Sequence, residues 1–139
     1  MTAHLFVYGT LMSGQKNPMQ QILARSAAPI GPGRMRGRLF LLDEYPGLVD
    51  SDDPAEAVLG EVWRLLDLEV LRTLDEYEGC LPQGSAPPLF VRSARPVEMD
   101  GDGTLTAWVY VYARSTAGQR AIPSGDWRAF RREESPCAT

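Results

Sequence analysis

The order of β-type and helical segments constrains the fold of this chain more than any other feature of its sequence. Two segments rich in β-forming residues, Leu89–Met99 and Thr104–Ala113, flank the turn Asp100–Gly103 and predict a strand hairpin. Helical spacing is found in only two places, after Asn17-Pro18 and over Asp67–Gly79. Because strands and helices do not alternate regularly, a doubly wound parallel sheet is disfavoured. The pattern predicts an α+β fold, in which a mixed or antiparallel sheet curls toward a barrel and one or two helices flank it.

Shorter segments complete this prediction. His4–Tyr8, Met35–Leu42 and Val58–Leu66 are interpreted as strands, and Pro29–Gly33 as a turn-rich connector. Tyr45-Pro46-Gly47 is interpreted as a turn. With 139 residues the chain is expected to form one domain over 1–139, ending in an irregular C-terminal extension over about 114–139.

Charge and hydropathy exclude several classes of function. The net charge is −4 and Lys16 is the only lysine, so the sequence disfavours nucleic-acid binding. No apolar stretch approaches the ~20 residues of a membrane span. The N-terminus has no basic region followed by a cleavage site, so we expect no secretory signal and a cytoplasmic location.

Cysteine and histidine spacing predicts neither a metal site nor a cofactor. Cys80 and Cys137 lie far apart, and His4 is the only histidine. A disulfide between the two cysteines stays open, but free thiols are expected in a cytosolic setting. A Cys80–His4 nucleophile pair stays open as an alternative, but it requires a contact from the first strand.

Glu78 is a carboxylate on the apolar side of a predicted helix. In Asp67–Gly79, with Asp67 as N-cap and Gly79 as C-terminal stop, Leu71, Leu74 and Glu78 share one face. Burial and the negative end of the helix dipole both favour the protonated carboxyl group and raise its pKa, which suits a general acid/base. The alternative is that Glu78 bonds a neighbouring arginine or backbone amide.

The tetrapeptide Tyr8-Gly9-Thr10-Leu11 directly follows the first predicted strand. Such a loop can expose successive backbone N–H groups as an anion-binding nest or oxyanion hole. The alternative is a tight turn in which Thr10 bonds its own backbone. Trp108 and Tyr110, in the last long strand, are interpreted as barrel core.

Three features together resemble the gamma-glutamylcyclotransferase-like family, in particular its small single-domain bacterial members. They are the strand that ends in Tyr8–Leu11, the helix that ends in Glu78-Gly79, and the strand that begins Phe90-Val91-Arg92. The resemblance implies a mixed β-barrel with a single cavity at its mouth. It also implies a transferase or lyase that cyclises a γ-glutamyl group to 5-oxoproline and releases an amine or amino acid.

The same resemblance implies roles for individual residues. Glu78 corresponds to the family's catalytic glutamate, and Tyr8, Gly9, Thr10 and Leu11 to its substrate-binding loop. Phe90 and Arg92 correspond to an aromatic-x-Arg strand at the site. Many relatives carry Tyr in place of Phe90, and the segment 80–89 is longer and richer in proline than the family pattern suggests.

The implied partner is a small-molecule γ-glutamyl substrate, without a cofactor, nucleic acid or membrane. A non-catalytic module that binds a small metabolite on the same barrel is the alternative from another class, and transfer of a different acyl group is a third. The sequence does not choose among leaving groups, and it leaves the oligomeric state open.

Overall fold

The structure, a computed structural model, describes residues 3–12, 17–42, 44–79, 88–101 and 103–134. Eight strands lie in that part of the chain: β1 (His4–Val7), β2 (Ala27–Arg36), β3 (Arg38–Leu41), β4 (Pro46–Val49), β5 (Ala57–Leu65), β6 (Phe90–Met99), β7 (Gly103–Tyr112) and β8 (Arg120–Ile122). Three helices accompany them: α1 (Pro18–Ser26), α2 (Val70–Tyr77) and α3 (Trp127–Glu134).

Five of the strands close into a barrel. The sheet runs in the order β1-β5-β2-β6-β7, and a parallel pair of β1 with β7, at Leu5 and Trp108, joins its two ends. β4 pairs in parallel with β7, and β3 and β8 extend the sheet from there by antiparallel pairing. This mixed α+β barrel confirms the predicted fold class.

The barrel interior is filled by side chains from alternating strand positions. Leu5, Val58, Val62, Val97 and Val109 have no exposed surface. Burial of side chains of this size contributes about 1.5–3 kcal/mol each and is the main stabilising term of the fold. The barrel is therefore a packed core, and the space for a ligand lies at its mouth.

Two segments predicted as connections are strands instead. Pro29–Gly33 belongs to β2, where it pairs with β5 through a register shift between Pro29 and Gly31. Proline and glycine are compatible with a strand at such a bulge, which local sequence alone does not reveal. Pro46-Gly47, predicted as part of a turn, begins β4 and pairs with β3.

The predicted irregular extension over about 114–139 is wrong for residues 120–122 and 127–134. It contains β8, which pairs with β3, and α3, whose Trp127 and Phe130 are buried with their rings stacked at 5.8 Å. The described residues therefore contain three helices, and not one or two. The signal was weak because both elements are short, and β8 forms by pairing with β3, which is distant in sequence. Residues 135–139 lie outside the described part.

No helix in the described ranges is both long and apolar enough to cross a bilayer. The same residues contain no group of three or more His, Cys, Asp and Glu side chains placed to bind a metal ion. Lys16, Cys80 and Cys137 lie outside the described residues, as does most of the segment 80–89, so the expectations for them stay predictions.

Candidate active site

The apolar face of α2 directs the end of this helix toward the barrel. Val70, Leu71 and Leu74 are buried, and Leu74 has no exposed surface, whereas Glu76 is exposed. Burial of one face and exposure of the other follow the predicted helical periodicity. Because Glu78 continues the buried face one turn after Leu74, packing of α2 brings it to the barrel mouth.

The two ends of α2 differ from one another in how well the sequence predicts them. Asp67 does not cap the helix, which begins at Val70; its carboxylate accepts the N–H of Glu69 at 3.0 Å in the turn before it. At the other end Gly79 has φ of +73°, and its N–H donates to the carbonyl of Glu76 at 3.2 Å. The predicted glycine stop is thus confirmed, since this left-handed conformation favours glycine.

Glu78 is the residue that directly follows α2, and its N–H donates to the carbonyl of Leu74 at 2.9 Å. The residue keeps some exposed surface, but the protein surrounds its carboxyl group. This burial raises the pKa of Glu78 from 4.5 to about 7 because it disfavours the charged form. A carboxyl group with this pKa can accept and donate a proton at neutral pH.

Glu78 lines a cavity of about 380 Å³ at the mouth of the barrel. Its walls come from β1 and the loop after it, the start of β4, the end of α2, the start of β6, and β7. The lining residues are Phe6, Val7, Tyr8, Gly9, Thr10, Leu11, Glu44, Tyr45, Pro46, Tyr77, Glu78, Leu89, Phe90 and Tyr110. The structure thus brings together six of the seven residues predicted for the site, and Arg92 is the exception.

The loop Tyr8–Leu11 is held from two sides. The side-chain amide of Asn17, the N-cap of α1, donates to the carbonyl of Thr10 at 2.6 Å, and the N–H of Met12 donates to the carbonyl of Gly9 at 3.1 Å. A Cβ at Gly9 would lie 2.6 Å from Cγ of Pro46, so this position needs glycine for close approach. The loop therefore has a defined conformation in the cavity wall.

The Tyr8 hydroxyl group belongs to the barrel framework. It donates to the carbonyl of Tyr110 at 2.7 Å and accepts the N–H of Leu48 at 3.3 Å. These bonds connect the end of β1 to β7 and β4, while Tyr8 still contributes to the cavity wall.

Arg92 does not line the cavity and pairs with Asp75 of α2. Its Nε and Nη2 donate to the two carboxylate oxygens of Asp75 at 2.8 and 3.2 Å, and its guanidinium group lies 4.4 Å from the ring centre of Trp108. The arginine that the resemblance assigned to the site therefore pairs with Asp75 of α2.

Several residues of the cavity wall were not predicted from the sequence. Tyr110, interpreted as core, is buried but lines the cavity, and Tyr45, Pro46 and Leu89 were not assigned to the site. Tyr45 and Phe90 are neighbours, with ring centres 6.4 Å apart. The hydroxyl group of Tyr110, a polar atom at a position assigned to the core, was the available signal for this residue.

The resemblance implied a single cavity, but the described residues also form a second depression, which lies beside β2 and β6. It contains two ion pairs, Arg34 with Glu98 at 3.0 Å and Arg95 with Asp50 at 2.8 Å. These charges neutralise one another within the depression.

The family profile described as "Gamma-glutamyl cyclotransferase, AIG2-like" matches residues 5–129. The chain belongs to this family. It is 33% identical over 132 residues to gamma-L-glutamyl-butirosin B gamma-glutamyl cyclotransferase of Niallia circulans, covering 92% of this chain and 77% of that protein. It is 34% identical over 122 residues to the gamma-glutamylaminecyclotransferase of Bos taurus, covering 80% of this chain and 66% of that protein.

Solved structures of family members share the fold. The crystal structure of YkqA from Bacillus subtilis superposes with a TM-score of 0.75 at 29% identity, and the match covers 98% of this chain but only 43% of YkqA. An AIG2-like protein of Mus musculus superposes with a TM-score of 0.67 at 27% identity, covering 90% of this chain and 93% of the mouse protein.

Proposed function

We propose that this chain is a gamma-glutamylcyclotransferase-type enzyme that converts a γ-glutamyl amide into 5-oxoproline and a free amine or amino acid. Glu78 acts as the general acid/base, and Tyr8, Gly9, Thr10, Leu11 and Phe90 form the substrate-binding wall. The observation that carries the proposal is the position of Glu78, whose carboxyl group has a pKa of about 7, in the same cavity as the loop 8–11.

The proposed reaction needs no nucleophile from the protein. The α-amine and the γ-carbonyl belong to one substrate, and attack of the nitrogen on the carbonyl carbon closes a five-membered ring. Holding the substrate in the folded conformation lowers the barrier by up to about 7–11 kcal/mol in favourable cases. A cavity with one acid/base is therefore sufficient, without a Ser–His or Cys–His pair.

Glu78 moves the protons in this scheme. Its carboxylate takes a proton from the α-ammonium group, and the free amine attacks the γ-carbon. The resulting carboxylic acid returns the proton to the leaving nitrogen as the amide C–N bond breaks. The ring nitrogen loses a second proton, which ends on the departing amine. The products are the lactam and an ammonium ion, so there is no net proton uptake or release.

The loop after β1 supplies the hydrogen-bond donors. The carbonyls of Gly9 and Thr10 are turned toward Met12 and Asn17. In a trans peptide the following N–H group points the opposite way, so the N–H groups of Thr10 and Leu11 are turned away from those partners. These groups then bind the γ-oxygen, as negative charge develops on it, or the substrate's α-carboxylate. The location of both residues in the cavity wall supports this role.

The test compares Glu78→Gln with Glu76→Gln. Glu76 lies on the exposed side of α2, so its variant makes the same chemical change outside the cavity. The wild type and the two variants are incubated with γ-glutamyl amino acids and γ-glutamylamines, and 5-oxoproline is measured by mass spectrometry. We expect Glu76→Gln to keep the wild-type rate and Glu78→Gln to lose about 100-fold or more, since general acid–base catalysis contributes about 10²–10⁴-fold.

Two outcomes would contradict the proposal. Near wild-type turnover by Glu78→Gln would remove the assigned role of this residue. Binding of γ-glutamyl compounds without turnover by the wild type would instead support a non-catalytic binding module on the same barrel.

A further inference from the structure

We propose that Asp75 is a positioning residue, which clamps the last turn of α2 to β6 and β7 and thereby holds the Glu78 carboxyl group inside the cavity. The effect of this clamp on turnover rests on the proposed function of Glu78. The effect of the clamp on the geometry of the cavity is independent of that function.

Asp75 receives three hydrogen bonds from two neighbouring strands. Arg92 donates to its two oxygens at 2.8 and 3.2 Å, and the hydroxyl group of Tyr110 donates to Oδ1 at 2.7 Å. The side chains of Asp75 and Arg92 are only 22% and 24% exposed, so the pair is largely shielded from solvent. Charge-assisted bonds with this geometry are among the stronger polar contacts in proteins.

The anchor on the barrel side is rigid. Arg92 and Tyr110 are direct cross-strand partners in the β6–β7 hairpin, and the guanidinium group of Arg92 is also fixed over Trp108 at 4.4 Å. Tyr110 is buried and lines the cavity together with Glu78. The clamp therefore connects the helix to the same strand that forms the cavity wall.

Asp75 is well placed to control Glu78 because it precedes it by three residues, which is nearly one helical turn. The buried face of α2, with Leu74 at its centre, sets which side of the helix meets the barrel, but hydrophobic burial is not directional and sets the rotation of the last turn less tightly. Hydrogen bonds to both carboxylate oxygens are directional and fix that rotation. The rotation of the last turn decides whether Glu78 lies in the cavity or at the surface.

Charges around Glu78 must be separated from this geometric effect. Glu44, Tyr8, Tyr45, Tyr77 and Tyr110 are the described titratable residues that line the cavity with Glu78. Asp75 and Arg92 are not among the lining residues and form an ion pair of zero net charge. Replacing Asp75 changes this balance, whereas Tyr110→Phe removes one of the three hydrogen bonds without changing a charge at neutral pH.

The experiment uses Asp75→Asn and Tyr110→Phe, with Asp50→Asn as the matched control. Asp50 pairs with Arg95 of β6 through two bonds of 2.8 Å and lies outside the cavity. The pKa of Glu78 is measured without substrate by ¹³C NMR titration of its carboxyl group, and kcat and KM are measured with a γ-glutamyl substrate. Tm is recorded for each protein.

We expect the pKa of Glu78 to fall from about 7 toward 4.5 in both clamp variants, because loosening the last turn admits water to the carboxyl group. The value of kcat should fall about 10- to 100-fold in Asp75→Asn, with little change in KM, since misplacement by 1 Å has effects of this size. Asp50→Asn should change Tm at most, and leave kcat and the pKa of Glu78 unaltered.

An unchanged pKa of Glu78 in Tyr110→Phe and Asp75→Asn would overturn the proposal, even if kcat falls. If Asp75→Asn does not fold, the pKa of Glu78 in Tyr110→Phe alone tests the proposal, because this variant retains the ion pair between Asp75 and Arg92. The NMR readout also separates this inference from the proposed function: a wild-type protein without turnover removes the function, whereas the titration still tests the clamp.

Discussion

Replacing Glu78 with Gln is expected to raise the free energy of unfolding by an amount that depends on pH. The same substitution is expected to remove turnover. Burial raises the pKa of Glu78 from 4.5 to about 7 in the folded state. The unfolded chain therefore releases this proton at lower pH than the folded protein does. Between these two values the unfolded state binds fewer protons, so the free energy of unfolding of the wild type falls as pH rises.

The size of this effect follows from the difference between the two pKa values. At about 1.4 kcal/mol for each pKa unit, a change from 4.5 to about 7 corresponds to about 3 kcal/mol. This is an upper limit, because Glu78 retains some exposed surface and water screens part of the cost. The cost is absent below pH 4.5, where both states carry the proton, and complete above pH 7. A neutral Gln avoids it at every pH.

Urea unfolding followed by tryptophan fluorescence measures this difference. The free energies of unfolding of wild type, Glu78→Gln and Glu76→Gln are compared at pH 4.5 and at pH 8. Other titrating groups cancel in the difference between wild type and variant. From pH 4.5 to pH 8, we expect the free energy of unfolding of Glu78→Gln to rise relative to wild type by up to about 3 kcal/mol. For Glu76→Gln we expect no such rise, since Glu76 lies on the exposed face of α2.

A difference between Glu78→Gln and wild type that stays constant from pH 4.5 to pH 8 would refute this reasoning. It would mean that the carboxyl group ionises equally easily in the folded and unfolded states. The raised pKa, and with it the assignment of Glu78 as an acid/base poised at neutral pH, would then be wrong.

Three further outcomes are expected. The pH dependence of kcat/KM should contain a limb near pH 7, which follows the pKa of Glu78, and this limb should vanish from the residual rate of Glu78→Gln. Gly9→Ala places a Cβ 2.6 Å from Cγ of Pro46; thermal unfolding should show a loss of about 1–3 kcal/mol, and KM should rise as the loop shifts. Leu74→Ala removes a side chain without exposed surface from α2 and should lower the free energy of urea unfolding by about 2–5 kcal/mol; a loss below 0.5 kcal/mol would contradict the packing of this helix.

Local sequence signals predicted those elements whose ends and faces depend on near neighbours. Asn17-Pro18 predicted the start of α1, where Asn17 is the observed N-cap and accepts the N–H of Gln20 at 2.8 Å. Gly79 predicted the end of α2, and the spacing of Leu71, Leu74 and Glu78 predicted its buried face. Each of these signals involves residues within one or two helical turns of one another, so a short stretch of sequence is enough to recognise it.

Elements that depend on distant strands were predicted poorly. Pro29–Gly33 contains turn-forming residues, yet β5 pairs with it and makes it a strand. Residues 120–122 and 127–134 were assigned to an irregular extension, although pairing with β3 and burial of Trp127 order them. In these segments long-range pairing and burial outweigh local propensity, as is common for strands.

The sequence by itself determined the α+β class, the candidate acid/base Glu78 and the loop Tyr8–Leu11. Only the tertiary structure decided which residues share the cavity, because closure of β1 on β7 brings together positions about a hundred residues apart. It placed Tyr110 in the wall and turned Arg92 toward Asp75. Residue type and spacing specify what a side chain can do, whereas its partner depends on contacts that form only when the barrel closes.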